Sequence, residues 1–445
     1  MHESTQALRG KKLFLVGFTL FSMFFGAGNL IFPPFLGAQA GTALWLAFAG
    51  FAVSAIGLPI AGVAAVARAG GLPVLAGRVH PRFAQVFAVL VYLSIGPCLA
   101  IPRTASTSFE MLTPLVGRST LGQFLYSLVF FTAAYFVALR PEKLTQRLGR
   151  ILCPTLLVLI VVLFAGCLLR PAASGYGVPT AAYAALPAAQ GILDGYQTMD
   201  ALAALPFGII VLQSVTAKGY QRGQSQLRVV GGAALLAGVL LLAVYMGLAY
   251  LGATVSAQYT SSIGRAALIM AIVEALMGKT GMVIFGVVVG LACVTTAIAL
   301  TSSAAAYFTE LCRGKISYKV FVTVICVFSA VVSNLGLDRI VAVAAPVLDI
   351  VYPPTLVLIC VSLIIPKVHN FVSRGAALGA LLTSVLCTLH TCGVKLPLVE
   401  ALPLYDLGLS WLLPAAVFGL AAQLLTLLPG VRCAEKPARR ASEKH

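Results

Sequence analysis

The run Phe24-Phe25-Gly26-Ala27-Gly28-Asn29-Leu30-Ile31-Phe32-Pro33-Pro34 interrupts an apolar segment that begins at Leu13. In lipid every backbone N–H and C=O needs a partner, so such a segment is ordinarily one unbroken helix. Two glycines and an asparagine at mid-depth work against continuity. They predict a helix that unwinds halfway, which lipid tolerates only where the freed backbone groups face protein, water or a ligand.

The surroundings of this run fit a membrane interior. Of the 445 residues, 60% are hydrophobic and 10% charged, and the mean hydropathy is +0.99. That is too apolar for a soluble chain of this length. Apolar runs of about 18 residues or more fall near 13–40, 42–67, 83–113, 119–139, 151–169, 197–217, 229–252, 279–309, 319–337, 340–365, 375–394 and 407–429. These twelve spans fill the chain, predict an all-α integral membrane protein, and leave no soluble domain. No small-residue cleavage site follows the first span, which reads as an uncleaved anchor.

Charge placement tests the map independently, because Lys and Arg gather in cytoplasmic loops. With the N-terminus inside, alternate loops hold Arg9, Lys11, Lys12; Arg68, Arg78, Arg82; Arg140, Lys143, Arg147, Arg150; Lys218, Arg222, Arg228; Arg313, Lys315, Lys319; Lys367, Arg374; and Arg432, Lys436, Arg439, Arg440, Lys444. The outer loops hold only Arg118, Arg170, Arg265, Lys279, Arg339 and Lys395, so the count is 23 against 6 with Arg103 inside a span. Both termini are therefore expected in the cytoplasm, and the net charge of +17 is a topology signal. A nucleic-acid surface would need basic residues gathered on one folded domain.

The ten cysteines scatter through the spans and suit packing better than disulfides. Cys387, His390 and Cys392 approximate a metal spacing, but no fourth ligand lies near and a helix spreads them over different faces. Walker, HExxH and dinucleotide motifs are absent, as is a Ser/His/Asp arrangement, so no enzyme is indicated. A channel would ordinarily show rings of repeated polar residues, and none is evident.

A second interruption is expected in Thr198-Met199-Asp200-Ala201-Leu202-Ala203-Ala204-Leu205-Pro206-Phe207-Gly208-Ile209, where Pro206 lacks an N–H and Gly208 adds freedom. It lies five spans after the first. Broken helices at matching places in two five-helix halves point to an inverted repeat with a binding site at the midplane. The expected division is a cytoplasmic segment 1–12, a first repeat 13–170, a second repeat 171–365, two further helices in 366–429 and a basic cytoplasmic tail 430–445.

Four segments carry a family resemblance: Phe25 to Pro34; Gly96-Pro97-Cys98-Leu99-Ala100-Ile101-Pro102-Arg103-Thr104-Ala105; Tyr196-Gln197-Thr198-Met199-Asp200-Ala201-Leu202-Ala203-Ala204; and Thr295-Thr296-Ala297-Ile298-Ala299-Leu300. Together the chain resembles the branched-chain amino acid:cation symporters, the bacterial BrnQ-type carriers, over nearly its full length. Pro206 and Ala299 depart from the pattern, which has a small or branched apolar residue and a glycine there. The resemblance implies a leucine-transporter-type fold of ten core helices plus two, in the cytoplasmic membrane of a bacterium. It also implies cation-driven uptake of leucine, isoleucine and valine, with no obligate protein partner.

A zwitterionic amino acid needs both charged ends satisfied in a low-dielectric place. The outer half of the first span begins near Gly28, and its N–H groups and positive dipole end suit the carboxylate. Unwound carbonyls around Phe24–Gly26 and Leu202–Leu205 suit the ammonium, and Ala27 belongs to the same substrate cradle. Tyr92 offers a hydroxyl to the carboxylate or packs as an aromatic. Ile95, Leu205 and Phe207 are candidates for the side-chain subsite. Ala292, Thr295 and Thr296 present a carbonyl and two hydroxyls on one helix face. With carbonyls of Ser22 and Phe25 they make an oxygen set of the kind this fold family uses for Na+. Ile298, Thr301 and Ser302 repeat the pattern further along. Asn29 orients the unwound segment or ligates a second ion. Ionisable residues within spans default to functional hypotheses. Arg103, Glu110, Asp200 and Asp349 qualify, with Arg103 and Asp200 or Asp349 a candidate outer gate and a static ion pair the alternative. The alternative is a proton-coupled carrier or exporter of another small neutral solute, and proton coupling would rest on Asp200, Asp349 or Glu110.

Overall fold

The computed structural model describes residues 2–139, 154–155, 157–166, 175–217, 224–258, 264–364, 370–405 and 407–427, with backbone alone at 2–12, 27, 217, 224–225 and 427. The charge assignments at 140–150, 170, 218–222, 367 and 432–444, the side chains of the first basic group, and the tail 430–445 lie outside what is described. All regular structure among the described residues is helical. Seven helices are long and apolar enough to cross a membrane, or eight with the bent pair Pro187–Tyr196 and Asp200–Thr216. Shorter apolar helices lie at Leu13–Phe24, Leu157–Gly166, Tyr318–Ser333 and Leu412–Thr426.

The first span breaks where its glycines predict. Helix α1 (His2–Phe24) stops at Phe24, and α2 (Ala27–Ala40) starts after an extended Gly26 (φ −125°, ψ −165°). Next come α3 (Leu44–Ala52) and α4 (Leu58–Ala69), joined through a π-helical turn at Val53–Gly57, and the short α5 (Leu72–Gly77). Helices α6 (Pro81–Leu93) and α7 (Ala100–Val116) meet at a second interruption, a π turn at Ser94–Cys98 in which Gly96 leaves helical geometry (φ −95°, ψ −128°). The adjacent Pro97 has no N–H to hold the preceding turn, so this bend follows from the Gly-Pro pair. Then follow α8 (Thr120–Ala138), α9 (Leu157–Gly166), α10 (Ala181–Ala185), α11 (Pro187–Tyr196) and α12 (Asp200–Ala217).

The sixth span breaks, but not at Pro206. The helix runs unbroken through Pro206, and Leu202 and Leu205 are helical and buried rather than unwound. The break lies at Gln197–Met199, where α11 and α12 meet at 47°. There the N–H groups of Gln197, Thr198 and Met199 turn back to the carbonyls of Asp194, Gly195 and Tyr196, and Met199 takes a left-handed φ of 65°. Thr198 Oγ1 accepts from the Asp200 N–H at 3.4 Å. A threonine cap followed by an acidic first turn is a helix start, and it outweighs a proline six residues inside.

The second half contains α13 (Gln224–Thr254), α14 (Arg265–Leu311), α15 (Tyr318–Ser333), α16 (Leu337–Ile364), α17 (Asn370–Thr391), α18 (Pro397–Glu400) and α19 (Leu412–Leu427). A left-handed Gly278 (φ 67°) parts α14 into a segment at 265–277 and the apolar span that follows. Helix α16 is continuous through Pro346, Pro353 and Pro354, so no break occurs around Asp349. Small residues set the closest crossings. A Cβ at Gly379 would lie 2.6 Å from the Pro414 carbonyl oxygen, so the Gly375/Gly379 face packs α17 on α19 within one chain.

Candidate functional site

Three interrupted spans converge on one place. Asn29, in the first turn of α2, is 2% exposed. Its Nδ2 donates to the Phe24 carbonyl across the first break at 2.7 Å and to Asp200 Oδ2 beyond the sixth-span break at 3.0 Å, and it also meets the Tyr245 hydroxyl. Tyr245, on α13, donates to the same carboxylate oxygen at 3.1 Å. Asn29 thus orients the unwound segment by tying both breaks together. These groups are buried, so each bond is worth more than at a surface and each loss would strand a polar partner.

Arg103 reaches the same junction from α7. It is 4% exposed, and its Nη1 and Nη2 donate to the carbonyls of Gln197 and Thr198 at 2.5 and 3.2 Å. Those carbonyls are free because α11 has ended. The guanidinium also lies 5.5 Å over the Phe32 ring. Among the described residues, ion pairs join Arg265 to Asp338 and His390 to Glu400, and none joins Arg103 to Asp200 or Asp349. Arg103 is therefore not ion-paired with either carboxylate of the expected gate in this structure. Arg103 instead caps the broken span.

A cavity of about 40 Å³ lies between the breaks, lined by Met23, Phe24, Gly26, Gly28, Asn29, Ile95, Ala100, Arg103, Thr104, Thr198, Met199, Asp200, Ala203, Phe207, Thr296 and Leu300. Most of the expected substrate residues are here: Phe24, Gly26, Gly28, Asn29, Ile95 and Phe207. Phe24 and Phe207 pack edge to face with ring centroids 5.5 Å apart. Gly26 and Gly28 admit close neighbours that a side chain would displace. A Cβ at Gly26 would lie 3.2 Å from Thr296 Oγ1, and one at Gly28 would lie 2.8 Å from Arg103 Nη2. Leu202 and Leu205 line neither this cavity nor the larger one, and the side chain of Ala27 lies outside what is described.

Met23 and Thr296 also line a second cavity of about 1070 Å³, so they stand between the two. The larger one runs between α1, α5, α6, the C-terminal half of α12 and the end of α14, and holds Ser22, Tyr92, Pro206, Thr295 and Ser302. Tyr92 stacks on Tyr307 at 4.0 Å there, apart from the smaller cavity. Thr295 and Thr296 donate to the Ala292 carbonyl at 2.8 and 3.1 Å. Each keeps acceptor lone pairs, so the hydroxyls remain able to face a cation. Phe25, Ala292, Ile298 and Thr301 are buried, and the Thr301 and Ser302 hydroxyls face Cys326 and Tyr318. Glu110 is used otherwise: its Oε1 accepts from the Leu337 N–H at 3.1 Å and caps α16. Asp349 is exposed on the side of α16.

Sequence reasoning missed Tyr245, the third-span bend and the true place of the sixth-span break. The Gly96-Pro97 pair and the Thr198-to-Asp200 cap were legible signals for the last two. A lone tyrosine in an apolar span carries no signal of its partner.

The fold has a counterpart among solved structures, and the sequence has relatives. The structure of Mhp1, a nucleobase-cation-symport-1 family transporter in a closed conformation with bromovinylhydantoin bound, superposes with a TM-score of 0.60 at 15% identity, covering 94% of this chain and 93% of that one. The branched-chain amino acid permease BraB of Bacillus subtilis is 38% identical over 434 residues, 94% of this chain and 96% of the permease. The branched-chain amino acid transport system 3 carrier protein of Pseudomonas aeruginosa is 37% identical over 97% of this chain and 99% of its own length. A sequence profile described as "Branched-chain amino acid transport protein" matches residues 9–428. With three of its four motifs on interrupted spans and an alignment that runs over nearly its full length, the chain belongs to the branched-chain amino acid transport protein family.

Proposed function

We propose that this chain is a secondary active carrier that takes up leucine, isoleucine and valine with a cation, Na+, by alternating access. One observation carries the reading. Two broken helices face each other across a small cavity with mixed apolar and polar lining, and a buried asparagine ties their breaks together. The first N–H groups of α2 suit a carboxylate, and the sixth-span residues beside the cavity are Thr198, Met199 and Asp200 rather than Leu202–Leu205. Met23, Phe24, Ile95, Phe207 and Leu300 suit an aliphatic side chain. An apolar pocket separates ligands by roughly 1–3 kcal/mol per methylene, so the three branched substrates share it.

Ser22, Phe25, Ala292, Thr295 and Thr296 are the proposed cation ligands. The test of fit is the donor set: hydroxyls already donating to one carbonyl, lone pairs left over, and nothing to protonate. Bound there, the ion would supply the coupling energy. Mhp1, described as a cation-symport family member, has the same fold. In topology, α1 with α2, α3 with α4, α6 with α7, α8, α9, α11 with α12, α13, the second part of α14, α15, α16, α17 and α19 make twelve spans. The charge pattern then puts both termini in the cytoplasm of a bacterial cell, with the larger cavity opening inward.

Labelled leucine uptake into proteoliposomes, with sodium and proton gradients imposed separately, tests the whole reading. The expected result is uptake that follows the sodium gradient alone. Uptake that follows only the proton gradient would move coupling to the buried carboxylate of Asp200, and no leucine uptake under either would end the proposal.

A further inference from the structure

The small cavity is lined by one basic and one acidic side chain that do not pair with each other. Arg103 and Asp200 are both 4% exposed and both line it, yet no ion pair joins them. Taking a charge out of water is expensive unless it is paired and hydrogen-bonded. Each is partly satisfied: Arg103 by two backbone carbonyls, Asp200 by Asn29 and Tyr245. A guanidinium has five N–H donors and a carboxylate about four acceptor positions, so both keep capacity. Much of the remaining lining is apolar. A cavity with one basic side chain, one acidic side chain and an apolar remainder is the complement of a small molecule with the same three parts.

We infer that Arg103 and Asp200 read the two charges of the substrate, Arg103 taking its carboxylate and Asp200 its ammonium. The inference rests on the amino-acid reading of the site and names the side chains that enforce it. Arg103 is well placed for the carboxylate because Gly28, at the start of α2, leaves its guanidinium uncovered: a Cβ there would lie 2.8 Å from Nη2. The guanidinium and the α2 N–H groups then act on the same oxygens. Asp200, tied to Asn29, stands beside them at the sixth-span break. Recognition by charged side chains also gives strong discrimination. A ligand lacking one charge leaves a buried partner unpaired, which costs far more than a missing methylene.

The test uses the full-length protein in detergent, titrated calorimetrically with leucine, 4-methylpentanoate (leucine without its ammonium) and 3-methylbutylamine (leucine without its carboxylate). Wild type is expected to prefer leucine strongly over both. In Asp200→Asn the preference for leucine over 4-methylpentanoate should fall at least about tenfold, equivalent to ~1.4 kcal/mol, with 4-methylpentanoate itself still bound. In Arg103→Gln the preference over 3-methylbutylamine should fall comparably. A structural role alone would weaken all ligands together and leave both ratios unchanged, which overturns the assignment. Should Asp200→Asn not fold, Asp200→Glu keeps the charge and displaces it by one methylene. It is expected to weaken leucine while sparing 4-methylpentanoate, and equal weakening of both overturns the pairing. Wild type without affinity for leucine would overturn the branched-chain reading and the pair with it. That outcome differs visibly from failure of the pair alone, in which leucine binds and the ratios stay fixed.

Discussion

Gly26 and Thr296 meet so closely that each fixes the other. A Cβ at Gly26 would lie 3.2 Å from both Thr296 Cγ2 and Oγ1, so the unwound backbone of the first span rests against the hydroxyl of α14. The two threonines at 295 and 296 already share the Ala292 carbonyl, and a small ion would draw on the lone pairs they leave free. Thr296→Val keeps the shape and removes one oxygen. The expected effect is a rise of about tenfold in the sodium concentration for half-maximal uptake, or ~1.4 kcal/mol, with leucine still bound at high sodium. Linkage makes the test reciprocal: the factor by which sodium tightens leucine must fall equally when read as leucine tightening sodium. An unchanged sodium dependence would exclude Thr296 as a ligand.

At the scale of the helix, the sixth span separates two ways of ending a helix. Proline removes one N–H and crowds the preceding turn, whereas a cap stabilises a new start. Here α12 begins at Asp200, after Thr198 has turned the chain, and continues through Pro206. Pro206→Ala should therefore leave uptake within about twofold of wild type and raise thermal stability, since a helix-interior proline is worth ~3 kcal/mol less than alanine. Loss of uptake would return the break to Pro206. The contrast explains what the chain reveals before folding. Gly26 and Asn29 announce their break because lipid leaves few other uses for glycine and amide in mid-span. Helical phase and hydropathy locate nearly every apolar span, but they say nothing about which residues meet across it. Tyr245 and Asp200 are 45 positions apart and bond directly, and Glu110 spends its carboxylate on the start of α16 rather than on a gate. Pairings of this kind depend on how helices cross, and the crossings depend on small residues such as Gly379 whose partners are distant in the chain.

For the molecule as a whole, the larger cavity lies opposite a set of ties that hold three helices together. Toward the far end of α2, Arg265 stacks 4.7 Å over the Phe35 ring and 5.7 Å over the Phe32 ring and pairs with Asp338 at 3.1 Å, next to the residue that Glu110 caps. The first segment of α14, α2 and the head of α16 are thereby clasped together while α1, α6 and the C-terminal half of α12 stand apart around about 1070 Å³. If alternating access opens the clasped side, this ion pair must part each cycle, so weakening it shifts the populations rather than the chemistry. Asp338 is 66% exposed in its side chain, and exposed pairs are worth ~0.2–1 kcal/mol, which is a change of about 1.4- to 5-fold in the ratio of states. Arg265→Gln should therefore slow maleimide labelling of a cysteine placed at Ser214, which lines the larger cavity, by at most that factor in a background without other exposed thiols. The charge-exchanged variant Arg265→Asp with Asp338→Arg should restore part of the rate, because it restores attraction without restoring the stacking on Phe35. Unchanged labelling in both variants would mean that the clasp only anchors α14 and that the barrier between states lies elsewhere.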